Sequence, residues 1–415
     1  MTSTADQPEI RRPDFLVFSD DWGEHPSSCQ HIFRHIAKDH RVLWVNTIGM
    51  RNPTLTWADA RKVVIKVSKM FGRRRKTATS EEPKNITICQ PLMFPGTRSR
   101  AVRAFNTKSV TRKVTAMLRA LEMESPIIIT TVPNTAEYPD LLKNQKLIYY
   151  CVDDFSLWPG LESETVREME DRLIEQSDSI IAVSESLYRR LSTFGKPTYL
   201  LTHGVDLEMF SRSAESELPK YKDIPKPRVG FFGLIDGRMN WDLVVPLARK
   251  MPETSFVFAG PVDATAGVLP RVENIYFLGP VPYDELPKFI AGVEALILPY
   301  RTGELAETLS PLKLKEYMAT GLPVVASSIS QARSLRGLIS VLDTTSEWKS
   351  EIEKFRRGAA SHKFIEVQNA IKGDSWNLKA ESLYSICIAN MSGRSKMNAD
   401  IENSATFATK SSNAQ

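Results

Sequence analysis

The sequence has no run of apolar residues near the ~18 that a membrane-spanning helix needs. Its longest apolar stretches, such as residues 127–129 and 295–298, are short and read as buried strands. Residues 1–12 are polar and lack an apolar signal core, so secretion is not expected. Cysteine is scarce. Cys29, Cys89, Cys151 and Cys387 lie far apart with no CxxC pair, which argues against a structural zinc site and fits a reduced, cytoplasmic setting. Histidine is equally sparse. His31 and His35 have i, i+4 spacing, but no ligand motif accompanies them, so no metal is expected. The dinucleotide fingerprint is missing too, because Gly230, Gly233 and Gly237 do not follow the G-x-G-x-x-G spacing.

What is present is ordinary for a globular protein: 42% hydrophobic and 25% charged residues over 415 positions. At roughly 100–200 residues per domain, that length implies two domains, each able to bury its own core. The net charge of +5 conceals an asymmetry. Residues 51–120 hold 17 Lys or Arg against three acids, Asp59, Glu81 and Glu82. Within the basic region 61–113, Trp57 just ahead and Val63, Ile65, Met70 and Phe71 inside it interleave with the charges. This composition suits an anionic membrane surface, with a solvated helix face as the plainer alternative. No nucleic-acid motif accompanies it.

Apolar segments alternate with helical patterns along the chain. Strands are expected at 15–19, 42–46, 127–131, 147–152, 179–183 and 198–202, with helices at 29–39, 163–176 and 186–194. A polar, proline-containing stretch at 211–228 reads as a linker. A second series follows, with strands at 229–233, 255–259, 275–278, 295–298, 323–326 and 338–342 and helices at 241–251, 283–290 and 311–319. Repeated βα units with continuous apolar strands predict an α/β protein with two doubly wound parallel sheets. The expected boundaries are an N-terminal domain at 10–210, a C-terminal domain at 229–373, a last helix at 374–392 that packs back toward the N-terminal domain, and a disordered tail at 393–415. Ligands of such sheets sit at the carboxyl ends of the strands, and two facing sheets would frame a cleft.

Four segments carry candidate chemistry. In Ser310-Pro311-Leu312-Lys313-Leu314-Lys315-Glu316-Tyr317-Met318-Ala319, Ser310 is a suitable N-cap and Pro311 suits the first turn. The free N–H groups of such a helix start form an anion site. Lys313 and Glu316 share a face near it, so the lysine can pair with phosphate and the carboxylate can accept ribose hydroxyls. A capped amphipathic helix with a surface ion pair is the plain alternative. In Gly230-Phe231-Phe232-Gly233-Leu234-Ile235-Asp236-Gly237-Arg238, the glycines allow close backbone approach and Arg238 can fork onto a pyrophosphate. A plain βα turn is its alternative. Asp153 and Asp154 leave an apolar strand where a general base would stand, with turn capping at nearly equal odds. Asp20, Asp21, Trp22 and Gly23 form a second acidic loop.

These segments resemble the GT-B glycosyltransferases of group 1. Glu316-Tyr317-Met318-Ala319 and Gly321-Leu322-Pro323-Val324-Val325 match the donor-site helix and following strand of that superfamily. The Ser-Pro-x-Lys-x-x-Glu-Tyr version looks like a subgroup linked to bacterial cell-surface and exopolysaccharide synthesis. The resemblance implies two Rossmann-like domains and a nucleotide-diphosphate sugar as donor. It implies a lipid-linked or polysaccharide hydroxyl as acceptor, without a bound metal or other cofactor. By the same resemblance, Gly233, Arg238, Val281, Glu307, Ser310, Lys313 and Glu316 face the donor. Asp153, Asp154 and Asp21 are the catalytic candidates. The superfamily often places another Glu eight positions before Glu316. Here that position is Thr308, with Glu307 beside it, and a Lys common in the Gly233–Arg238 loop is replaced near Asn240. Ser184, and His203-Gly204-Val205-Asp206 with Phe210, match positions that look structural or hinge-forming. Two rival readings are a nucleotide-sugar epimerase of the same architecture, which would need no acceptor, and a non-catalytic sugar- or lipid-binding scaffold. An enzyme of this kind would be cytoplasmic and peripheral on the inner face of the membrane.

Overall fold

The computed structural model describes residues 12–23, 27–47, 83–96, 98–158, 161–211, 214–308, 310–356 and 364–391. The charge-dense residues 61–82 and the expected tail at 393–415 lie outside them. The chain groups into two units. The first runs to Leu201 and resumes at Ala380, and the second comprises Thr202–Lys379.

The first unit is built on a seven-stranded sheet in the order β3-β2-β1-β4-β5-β6-β7, parallel throughout. Its strands are β1 (Phe15–Ser19), β2 (Val42–Asn46), β3 (Ile86–Cys89), β4 (Ile127–Thr130), β5 (Leu147–Cys151), β6 (Ser179–Ala182) and β7 (Thr198–Leu200). Phe15 pairs with Val42 on one side and Ile127 on the other, so β1 sits where the winding direction reverses. Strands β1, β2, β4, β5 and β6 are buried along their whole length, which is why they read as unbroken apolar runs rather than alternating ones. Helices cover the faces. Ser28–Ile36 is capped by the Ser27 side chain and buries Ile32, Phe33 and Ile36. Ser163–Gln176 buries Val166, Met169, Leu173 and Ile174. Inside, the Tyr149 hydroxyl donates to Glu170 at 2.8 Å, and Arg190 grips Glu170 at 2.7 and 3.0 Å. This half-buried pair ties the helix Ser163–Gln176, which carries Glu170, to the helix Glu185–Ser192, which carries Arg190, and Tyr149 holds both to β5. All four cysteines are buried, unbonded, and belong to this unit.

The second unit holds a six-stranded parallel sheet in the order β10-β9-β8-β11-β12-β13. Its strands are β8 (Arg228–Phe232), β9 (Ser255–Ala259), β10 (Ile275–Gly279), β11 (Ala295–Leu298), β12 (Val324–Ser327) and β13 (Ser340–Leu342). Here the reversal falls between β8 and β11. Phe231, Phe258, Leu296, Ile297, Tyr317 and Trp348 anchor one apolar core.

Within the stretch 211–228, the described residues 214–228 correct the linker expectation. Leu218, Tyr221 and Ile224 are buried in the second unit's core. The Arg228 guanidinium lies 4.4 Å over the Tyr221 ring and donates to the carbonyls of Tyr221, Ile224 and Gly292. Prolines and charges dominate the composition there and hide three apolar positions spaced three apart. The sequence reading also passed over β3 and the helix Arg100–Ala120. Only Asn106, Val110 and Val114 of that helix are fully buried, so its apolar stripe is too narrow to stand out among basic residues. The short helices Glu304–Thr308 and Ser330–Ser334 were also unforeseen, as were Thr345–Arg356 and Phe364–Ile371. The last helix, Trp376–Met391, spans the point at Lys379–Ala380 where the chain returns to the first unit. Its Tyr384 ring packs 4.8 Å from His40.

Candidate donor and acceptor sites

At the reversal in the second sheet, the loops after β8, β9 and β11 are bonded to one another beside one helix start. The helix is Leu312–Ala319, one residue shorter at its start than expected. Pro311 keeps φ −66° but takes ψ 117°, outside the helical basin, so Pro311 itself is the N-cap and no side chain caps the helix. Ser310 is therefore not the cap. Its backbone instead bonds the His203 ring. Tyr317 ties the helix to β8: its hydroxyl accepts from the Phe232 N–H at 3.1 Å and donates to the Phe232 carbonyl at 3.0 Å.

This anchoring aims Lys313 at the end of β8. A Cβ placed on Gly233 would lie 1.5 Å from Lys313 Cε and 2.6 Å from its Nζ. Gly233 also has φ +142°, which side chains rarely adopt. The glycine is thus needed twice, for its backbone and for the lysine that lies against it. Lys313 has no ion-pair partner among the described residues. One turn on, Glu316 is buried to 7% exposure, and burial lifts its carboxyl from 4.5 to about 7 against the opposing field of Lys313. Among the described residues no hydrogen bond occupies that carboxylate. A buried acid whose oxygens have no hydrogen bond among the described residues is costly unless something else supplies the contacts.

Arg238 has a partner within its own loop. Its guanidinium is engaged by Asp236, with Nε 2.9 Å from Oδ1 and Nη2 2.7 Å from Oδ2, and it lies 5.2 Å over the Tyr300 ring. Arg301 N–H donates to the Arg238 carbonyl at 2.7 Å, so the loops after β8 and β11 are stitched together. Asp236 and Tyr317 fall inside the quoted segments and Tyr300 just outside them, but none of the three was given a role from the sequence. Their types carry no phosphate signature, and their role is to hold residues that do. Val281 is partly buried against the core. Glu307 is ion-paired with Arg333 on an exposed face, and no contact among the described residues links it to Glu316.

In the first unit the strands are parallel, so the acidic loops after β1 and β5 leave the same sheet edge. Asp20 is the bolt of the first loop. It accepts from Ser19 Oγ (2.7 Å), Ser27 Oγ (3.0 Å) and Gln30 Nε2 (2.6 Å). Burial raises its carboxyl despite those three bonds. Thr131, after β4, donates to Ser19 Oγ at 2.8 Å, and Asp21 is half-buried beside this cluster. After β5 the two acids divide. Asp154 caps the turn Phe155–Leu157, accepting from Ser156 N (3.1 Å) and Ser156 Oγ (2.6 Å), and is buried. Asp153 is half-buried. The geometry gives Asp154 the capping role. We expect Asp154→Ala to cost about 1–3 kcal/mol in chemical denaturation while leaving nucleotide binding unchanged. A loss of binding with intact stability would return Asp154 to the reaction.

Burial, with Arg34 and His35 nearby, lowers His31 to about 3, so it stays neutral. Among the described residues no group of three His, Cys, Asp or Glu is arranged to hold a metal ion. Nor is any helix among them long and apolar enough to cross a membrane.

Comparison with known proteins bears on the second unit most directly. Residues 226–353 match the family model described as glycosyl transferases group 1. A curated Bacillus subtilis (strain 168) protein, TuaH, assigned to teichuronic acid biosynthesis as a glycosyltransferase, is 26% identical over 230 residues. That match covers 50% of this chain and 56% of TuaH, so the chain spans about half the length of this relative. Among solved structures, sucrose-phosphate synthase from Thermosynechococcus elongatus superposes with a TM-score of 0.68 at 14% identity. It covers 92% of this chain and 100% of that one. Anabaena Alr3699/HepE, solved with UDP and glucose, gives 0.61 at 14% identity over 90% of this chain and 99% of its own.

Proposed function

We propose that this chain, whose fold is that of GT-B proteins and whose residues 226–353 match the group 1 glycosyl transferase model, transfers a sugar from a nucleotide-diphosphate donor to an acceptor hydroxyl. One observation carries the reading. Lys313 lies against Gly233 at the end of β8 with the buried Glu316 one helical turn on, and among the described residues neither has a hydrogen bond or ion pair to another side chain. The lysine takes the donor diphosphate, and the helix start at Leu312 adds its dipole. Glu316 accepts the ribose hydroxyls. Arg238, poised on Asp236, adds a second cation as charge builds on the departing diphosphate. Cationic side chains thus do what a bound metal does in other phosphate chemistry. In the first unit, Asp153 is the group suited to remove the acceptor proton if the anomeric centre inverts, and Asp21 borders the same edge.

The acceptor we propose is a glycan or lipid-linked sugar, worked on at the cytoplasmic face of a membrane. What supports this is the teichuronic acid relative and the charge of region 61–113. In the described part of that region, the helix Arg100–Ala120 carries Arg100, Arg103, Lys108, Arg112, Lys113 and Arg119 and no acid. Phe105 on this helix and Phe94 ahead of it are exposed, with their rings 5.2 Å apart. Basic and aromatic groups in that mixture favour anionic headgroups.

The test is release of nucleoside diphosphate from a panel of UDP-, GDP- and CDP-sugars, with and without a lipid extract. Release that requires the extract is the expected result, and for an inverting transfer Asp153→Asn should abolish it without weakening donor binding. Donor conversion without acceptor would select the epimerase reading, and binding without turnover the scaffold.

A further inference from the structure

Lys315 has no part in the chemistry above. It lies one residue from Glu316 and two from Lys313, yet it is buried at 7% exposure and its ammonium points away from both. It donates to the His203 carbonyl at 2.6 Å and to Thr202 Oγ1 at 2.9 Å, and pairs with Asp374 Oδ2 at 2.7 Å. Lys379 closes the cluster, 2.7 Å from the other Asp374 oxygen and 3.1 Å from Thr202 Oγ1.

The surroundings make a strap. Residues 202–205 run beside residues 374–376, with Val205 N–H donating to the Asp374 carbonyl at 2.7 Å and Val205 bridging to Ser375. Gly204 lies flush on Trp376, where an added Cβ would come within 2.5 Å of the indole. His203 holds the helix and the residue ahead of its cap: its carbonyl takes Lys315, and its ring bonds the Ser310 backbone. Burial and the neighbouring ammonium groups of Lys315 and Lys379 bring His203 down to about 3, so the imidazole stays neutral and the strap adds no third cation.

We propose that Lys315 is a positioning residue for the donor site: by fastening the first turns of the Leu312–Ala319 helix to the strap and to Asp374, it sets where Lys313 and Glu316 point. A buried ion pair contributes little net stability compared with an apolar side chain of similar shape, but it dictates one geometry. That is what a diphosphate site needs, because a displacement of about 1 Å costs such a site far more than it costs the fold. Methionine at 315 would leave Asp374 paired with Lys379, so no buried charge is stranded. This inference rests on the donor-site reading given above.

The experiment is a double-mutant cycle read by calorimetric titration with UDP, GDP, CDP and ADP. Wild type must bind one of them. If it binds none, the donor reading itself fails and this proposal with it. For the nucleotide that binds, Lys315→Met is expected to weaken affinity about tenfold in the parent protein. In a Lys313→Met background, where the aimed charge is already gone, the added loss should be less than about twofold. Thr202→Val, which removes one shared acceptor and leaves both ion pairs, should follow in the same direction by about threefold. Thermal melting should move little in either variant. Equal losses in both backgrounds would mean general softening rather than positioning, and unchanged affinity in Lys315→Met and Thr202→Val would overturn the role outright.

Discussion

Glu316→Gln is expected to weaken donor binding about 100-fold, the scale of two hydrogen bonds to an ionised group, while leaving the protein as stable or more so. The reasoning turns on burial. The carboxyl titrates near 4.5 when unfolded and near 7 in the fold, with burial as the cause. Between those values the folded state holds the proton more tightly than the unfolded chain does. Stability from this group is therefore full below about pH 4.5, declines as pH rises toward 7, and is flat above. Glutamine carries no such penalty, so at pH 8 the variant should melt a few degrees higher. Binding should run the opposite way with pH. A carboxylate that accepts ribose hydroxyls must be ionised, so wild-type affinity should rise about tenfold per pH unit below 7 and level off above it. The Gln variant should show no such slope. Titrations from pH 5.5 to 8.5 on both proteins check this, and parallel, flat profiles would remove Glu316 from the site.

Gly233→Ala is expected to be nearly as damaging, about 30- to 100-fold in donor affinity, for a steric reason. The new methyl would sit where Lys313 Cε now lies, on a backbone at φ +142°. Relief requires the lysine to swing out, the loop to re-form, or both, and strained backbone of this kind costs about 1–3 kcal/mol. The distinguishing sign is selectivity. Displacing Lys313 should weaken a nucleoside diphosphate much more than the corresponding nucleoside. Equal weakening of both would point to collapse of the base pocket instead.

Gly233 also shows how far the sequence could be read. A glycine in a βα turn suggests close approach, and the expectation was approach by a ligand. The close neighbour in the fold is a side chain of the protein 80 positions later, which spacing cannot reveal. The strands and the large helices were legible because burial on both faces writes itself as apolar runs, as in residues 147–151 and 295–298. The helix Arg100–Ala120 was not, because three buried positions in 21 residues leave little periodicity. At the site, Lys313 and Glu316 could be paired by helical spacing alone. Asp236 holding Arg238, Pro311 displacing Ser310 as cap, and Asp154 rather than Asp153 taking the turn all depend on rotamers and ψ angles that residue type does not fix. Lys315 was invisible for a related reason. Its partners, at 202, 203 and 374, are distant in sequence and ordinary in type.

The four buried thiols lie in one unit only, at positions 29, 89, 151 and 387. A thiol-reactive dye added to the folded protein is therefore a clock with a single hand: it ticks when the first unit opens and is blind to the second. Any nucleotide that slows that clock while occupying the unit without cysteines is transmitting its presence across the chain, and no engineered label is needed to see it.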